Sequence, residues 1–193
     1  MEHSKFTEGA NDWNNHIFLL WLALEETKTG EVIEMGCGDG STRQLHDYCH
    51  DNNRILHSFD TDSDWLNKFV FLETEQHQFH HVVNHWEIAQ QICPKPSVIL
   101  IDHAPGERRI VDIKNYYDHM EGIMVLHDTQ PPPTAADYGY ERIWKYFKYI
   151  VHLDAGKNPE AVDNRTWASA VSNHYDVTKW KGLTFNNGDY KLK

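Results

Sequence analysis

The chain has 193 residues, and 18 Lys+Arg against 29 Asp+Glu leave a formal charge of −11 with histidine neutral. That length suits one domain with a sizeable core, and a composition 40% hydrophobic and 12% aromatic excludes wholesale disorder. The acidic balance, without a dense basic run, argues against non-specific nucleic-acid binding, and the longest apolar run, residues 17–24, is too short to span a bilayer.

The first residues lack the basic-then-apolar layout of a secretory signal. Three cysteines with no CxxC pair argue against a disulfide framework or a Cys-rich zinc site. A cytoplasmic protein is the expectation, with no membrane partner.

Short apolar runs alternate with helical patterns, as in βαβ units around a parallel sheet. Ile17, Leu20, Trp21 and Leu24 fall at i, i+3, i+4 and i+7, which predicts a helix over 11–28 that Gly30 ends. A first strand over 31–35 leads through a glycine turn into a helix from about Ser41. A second strand over 55–59, a helix over 64–73, a third strand over 81–84 and a short helix after Trp86 follow. The run 97–101 is nearly continuous apolar, as for a strand buried on both faces, and precedes a helix over 107–120 and a fifth strand over 122–126.

Pro131, Pro132 and Pro133 make a stiff extended segment before a helix over 135–147. Strands six (149–153) and seven (167–177) are joined by a Gly-, Pro-, Asn- and Asp-rich linker without helical periodicity, so they read as an antiparallel pair. Residues 1–10 and 186–193 read as peripheral tails of a single domain over 1–193. The predicted fold is α/β: a Rossmann-like, seven-stranded, mostly parallel sheet with an antiparallel last strand and helices on both faces.

The glycine turn is the most informative stretch. Gly36, Gly38 and Gly40 follow the first strand, with Ser41 as N-cap of the next helix. Glycines let the chain turn sharply and let a ligand approach without a Cβ in the way, while the helix N-terminus offers free N–H groups. Asp60, twenty-four positions after Gly36 and just past strand two, can accept two hydrogen bonds from a ribose diol. A nicotinamide fingerprint would be GxGxxG/A, but the third glycine arrives one residue early, at Gly40. This counts against the alternative of an NAD(P)-binding oxidoreductase.

The observed order, Glu34 and then Gly36, Gly38 and Gly40, resembles the first motif of class I S-adenosylmethionine-dependent methyltransferases. The resemblance extends to the acid after strand two, the polar pair His85-Trp86 after strand three and Asp102 after strand four. It implies that Glu34 orients the turn or the cofactor's amino group, that the glycines and the small Cys37 flank the methionine moiety, and that Asp60 holds the ribose. It also implies His85 and Trp86 near the adenine and Asp102 near the sulfonium. The expected activity is methyl transfer to an oxygen or nitrogen of a small-molecule or sugar-like acceptor. A non-catalytic S-adenosylmethionine-binding partner protein, or a homo-oligomer whose second copy selects the substrate, is the further alternative.

Two more strand ends carry chemistry-capable residues, Asp102-His103 and His127-Asp128. Such groups are costly to bury together unless they pair or bind a cation. Asp102 with His127-Asp128 is similar to the layout in metal-dependent O-methyltransferases of the macrolide-sugar and cephalosporin-hydroxylase type. The similarity implies a divalent ion such as Mg at Asp102, His127 and Asp128. Asp102 and His103 are the catalytic candidates, His103 as a general base. Arg108 or Arg109 is a candidate clamp for a substrate anion, and residues 137–140 a wall over the substrate. His46 and His50, spaced i, i+4, read as a solvated helix face, and His80-His81 as strand-edge decoration.

Overall fold

Nine strands form one mixed sheet among the residues that the computed structural model describes, 2–8, 10, 14–130, 138–154, 167–185 and 190–193. The strands are β1 (Val32–Met35), β2 (Leu56–Asp60), β3 (His77–His81), β4 (Val98–Ile101), β5 (Ile123–His127), β6 (Tyr149–Asp154), β7 (Ala168–Ser172), β8 (Thr184–Phe185) and β9 (Tyr190–Leu192). The helices are α1 (His3–Phe6), α2 (His16–Thr27), α3 (Thr42–Asp51), α4 (Ser63–Leu66), α5 (Glu87–Ile92) and α6 (Arg109–Tyr116). The sheet order is 3-2-1-4-5-7-6-9-8. Strands β1 to β5 run parallel, and β7 runs antiparallel to both β5 and β6.

Alternation along the central strands sorts side chains into two layers. Val98 and Leu100 of β4 join Val32, Leu56, Ile123 and Val125 against α2 and α3. Ile99 and Ile101 join Ile33, Met35, Met124 and Leu126 against α5 and α6. Helices therefore cover both faces, and β1, β4 and β5 are buried along their whole length. Removing each such aliphatic side chain from water stabilises the fold by roughly 1.5–3 kcal/mol. Because the parallel strands all end on the same edge, Met35, Asp60, Ile101 and His127 deliver the following loops to one crevice.

The structure corrects several sequence expectations. The third strand lies at His77–His81 rather than 81–84, because an edge strand reading His-Gln-Phe-His-His carries no apolar run to mark it. The helix expected over 64–73 is only α4 followed by a 3-10 turn at Val70–Leu72. The helix expected over 135–147 falls partly outside the described residues. Its described part is two 3-10 turns, Tyr140–Arg142 and Trp144–Tyr146, after Gly139 at φ +79°.

The seventh strand ends at Ser172, short of the expected 177. Strand β9 pairs with β6 and β8, and Tyr190 and Leu192 are buried, so residues 190–192 belong to the sheet rather than to a frayed tail. At the other end, Phe6 of α1 is buried against Tyr48, which makes this segment part of the core. The Pro131 to Pro133 stretch lies outside the described residues.

Candidate functional site

The glycine turn is built on Glu34. Its carboxylate is fully buried and accepts hydrogen bonds from Ser41 Oγ (2.6 Å), Thr42 Oγ1 (3.0 Å) and Ser58 Oγ (2.7 Å). Burial raises its pKa to about 7, against the opposing pull of these hydroxyls. Glu34 thus ties the start of α3 and strand β2 to the turn, and the turn-orienting half of its expected role is the one its contacts serve.

The three glycines do different work. Gly36 has φ +97°, and a Cβ there would stand 2.6 Å from the Asp102 carbonyl oxygen, so only glycine lets the β1 and β4 ends approach. A Cβ at Gly40 would meet Asn14 at 2.5 Å. Of the three, only Gly38 would accept a Cβ without a clash, the nearest atom being the Gly40 nitrogen at 3.9 Å. The bare wall at which a ligand could lie is therefore at Gly38. Cys37 is buried, and burial pushes its thiol far up, which disfavours the nucleophilic thiolate.

Asp60 sits half-buried at the end of β2, facing this turn. One carboxylate oxygen accepts the Cys37 N–H at 2.9 Å, and the other accepts the Asp62 N–H, also at 2.9 Å. Each oxygen retains a lone pair for a further donor. Trp65 of α4, which the sequence reading passed over, donates its indole N–H to the Cys37 carbonyl at 2.8 Å. His85 is exposed, whereas Trp86 is buried and stacked on His103, with centroids 4.0 Å apart. Trp86 is core packing and offers no open face to an adenine, which corrects that expectation.

At the ends of β4 and β5 the predicted cluster converges, but with different partners. Asp102 Oδ1 receives His127 Nδ1 at 2.9 Å and Arg109 Nη2 at 2.9 Å. Arg109 Nη1 reaches Asp128 Oδ2 at 3.2 Å, while its Nε donates to the His103 carbonyl at 2.8 Å. Tyr140 donates its hydroxyl to the His127 carbonyl at 2.8 Å. Asp128 holds φ +55°, a conformation that aspartate tolerates better than most residues. Burial opposes the charge on Asp102, but His127 and Arg109 outweigh it and hold the carboxyl well below its usual range. Burial likewise works against His127, and Asp102 overcomes it, raising that pKa.

Two roles expected of this cluster fail on packing. His103 is buried between Trp86 and α6, with Nε2 3.1 Å from Asp112 Oδ2, at ion-pair distance but off hydrogen-bond geometry. It cannot reach a substrate and is not a general base. Arg108 is committed to Asp112 and Glu87, and Arg109 to the two strand ends, so neither is free to clamp an anion.

The metal expectation meets the same obstacle. Arg109 already bridges the carboxylates of Asp102 and Asp128, so Asp102, His127 and Asp128 do not fit as an open ligand set. A different set does bring ligand atoms within 4.8 Å of one another: His16, Asp102 and His127. His16, the first residue of α2, is buried, and its ring meets that of His127 edge-on at 4.4 Å. Among the described residues neither of its nitrogens has a hydrogen-bond partner, nor does His127 Nε2. Burial drives the His16 pKa down to about 3, so this imidazole is neutral. Sequence reasoning missed His16, although its spacing with Leu20 and Leu24 at i, i+4 and i+8 placed it on the buried face.

Comparison with known proteins locates the fold. No protein-family model matches the chain, and no curated protein matches it in sequence. Among solved structures it is similar to a candidate O-methyltransferase from Klebsiella pneumoniae, at TM-score 0.56 and 11% identity over 86% of this chain and 82% of that one. An rRNA methylase from Streptococcus thermophilus gives TM-score 0.55 and 13% identity over 82% and 95% of the two chains. Fibrillarin, a pre-rRNA processing protein from Methanococcus jannaschii, gives 0.53 and 14% over 83% and 76%. The chain has the methyltransferase Rossmann-like fold, here with two extra strands beyond β6.

Proposed function

We propose that the chain transfers a methyl group from S-adenosylmethionine to an oxygen or nitrogen of a small acceptor, with His127 as general base. One observation carries this reading: successive strand ends present an open glycine wall at Gly38, a half-buried carboxylate at Asp60, and an Asp102–His127 pair whose outer nitrogen is unbonded. The cofactor, when bound, supplies a methyl group already activated on a sulfonium sulfur. Asp60 accepts hydrogen bonds from the ribose hydroxyls, and Gly38 leaves room for the chain beside them.

Asp102 fixes the His127 ring through Nδ1, and Nε2, shielded by the His16 ring, accepts the acceptor's proton once a bound acceptor parts the two rings. Arg109 and Asp128 hold that pair in register, so the ring does not have to be oriented during reaction. A surplus of eleven negative charges favours a small acceptor over a polyanion. The test is formation of S-adenosylhomocysteine on mixing protein, cofactor and a panel of hydroxyl- and amine-bearing small molecules. Turnover should fall at least a hundredfold in His127→Gln while cofactor affinity is kept, in line with loss of a general base. Undiminished turnover in that variant would remove His127 from the chemistry.

A second reading rests on the unbonded nitrogens of His16 and His127. Two imidazoles and one carboxylate suit a borderline divalent ion such as zinc or manganese better than magnesium, and an ion there would lower the pKa of an acceptor hydroxyl. Equilibrium dialysis against zinc decides it: near-stoichiometric uptake that His16→Ala abolishes supports the metal, and no uptake leaves the imidazole base alone.

A further inference from the structure

Beyond β5 the chain runs through Thr129 and Gln130, immediately after His127 and Asp128, into the wall of a cavity of about 240 Å³. Its walls are aromatic: Tyr140 and Trp144, stacked on each other at 5.8 Å, and Trp167. His152 meets Trp144 edge-on at 5.1 Å. These walls are pinned from behind. Thr129 Oγ1 and His152 Nδ1 each lie 2.7 Å from Ser169 Oγ on β7, and the Thr129 N–H donates to the Trp167 carbonyl. The cavity is a preformed feature of the β5–β7–β6 sheet end.

Two features restrict what it can take. Gln130 is only 3% exposed, yet among the described residues its amide nitrogen and oxygen both lack a hydrogen-bond partner. A buried amide left unpaired on both sides is costly, a penalty that a ligand with the complementary donor and acceptor removes. The charge is the second feature. Among the described residues no lysine or arginine lines the cavity, burial lowers the His152 pKa and keeps that ring neutral, and Glu141 stands exposed in the lining. From these described residues an anion would meet repulsion and no counter-charge.

We infer that this cavity is the acceptor subsite and that it selects a neutral, planar, aromatic or heteroaromatic ring bearing a carboxamide-like edge, which pairs with the Gln130 amide. The inference rests on the methyl-transfer reading for the word acceptor, and on the cavity alone for the ligand class. The aromatic walls favour a flat ring by stacking and by excluding water. The amide of Gln130 sets its orientation, since a glutamine side chain donates and accepts side by side.

The test is a calorimetric titration of 3-hydroxybenzamide into the wild-type chain and Gln130→Leu, beside 3-hydroxybenzoate and 3-hydroxycyclohexanecarboxamide. S-adenosylhomocysteine is titrated in parallel as a probe of the cofactor crevice. The expected result is that the benzamide binds at least tenfold more tightly than either analogue, and that Gln130→Leu weakens it at least tenfold with the nucleoside affinity unchanged. Binding of the nucleoside without benzamide binding, equal binding of the benzoate, or an unaffected Gln130→Leu would each overturn the subsite. If the benzamide preference holds and the nucleoside fails to bind, the ligand class stands and the methyl-transfer reading falls.

Discussion

Arg109 is the residue on which the two central strand ends depend. Its guanidinium is the counter-charge to the buried carboxylate of Asp128 and the partly buried one of Asp102, and it also holds the carbonyls of His103 and His127. Removing one partner of a buried ion network leaves the other charges uncompensated, which costs about 3–5 kcal/mol. Arg109→Leu is expected to lower the stability measured by urea unfolding by that amount. A loss below about 1 kcal/mol, the range of an exposed pair, would show that the acids are solvated instead.

His127 carries a second expectation at this scale. Asp102 and Asp128 favour its charged form over the opposition of burial, so the imidazole loses its proton only above its ordinary 6.5. A base must be deprotonated to act, so the acid limb of the pH–rate profile belongs above pH 6.5. A limb at or below that value would contradict the Asp102–His127 pairing.

At the scale of elements, the turn between β1 and α3 is held by backbone geometry more than by side chains. Gly36→Ala puts a methyl group against the Asp102 carbonyl in a left-handed conformation that costs roughly 1–2 kcal/mol even without a clash. The substitution is expected to separate the β1 and β4 ends, with loss of both stability and S-adenosylhomocysteine binding. Gly38→Ala, free of such a clash, is expected to leave stability within about 0.5 kcal/mol while impairing binding. Equal effects of the two on unfolding would refute the division of labour among the glycines.

These elements also show what was legible in the sequence. The parallel core was readable because 97–101 and 122–126 are continuous apolar runs and the glycines punctuate the first crossover. The strand ends followed, so Glu34, Asp60, Asp102, His127 and Asp128 were found by position alone. Their partners were not readable. That Arg109 turns back onto the β4 and β5 ends, that Trp86 stacks on His103, and that His16 reaches His127 from α2 depend on contacts between elements distant in sequence. Strands β8 and β9 lacked a periodic signal because they have only 2 and 3 residues, and the edge strand β3 because it carries polar residues at most positions.

For the whole molecule, buried histidine governs the response to acid. Burial lowers the pKa of His16 and His77 to about 3 and of His80 to about 4. Each is depressed below the unfolded 6.5, so its contribution to stability is intact above pH 6.5 and is lost as pH falls towards 3–4. Glu34, with its pKa raised by burial to about 7, acts in the opposite sense between pH 4.5 and 7, because unfolding releases its proton. The three imidazoles outnumber the one carboxyl, so stability should fall by about 1–3 kcal/mol per pH unit between pH 6 and 4.5. Urea unfolding across that range checks the sign, and flat stability would contradict neutral burial of these rings.

The central claim is that the strand ends at Gly38 and Asp60 receive an adenosyl sulfonium compound, and calorimetric titration of S-adenosylhomocysteine into the wild type and Asp60→Ala tests it most directly. Hydrogen bonds to a carboxylate contribute about 1.5–3 kcal/mol each, so one-to-one binding that weakens at least tenfold in the variant is the predicted result. No binding to the wild type, or equal affinity in both proteins, would contradict it.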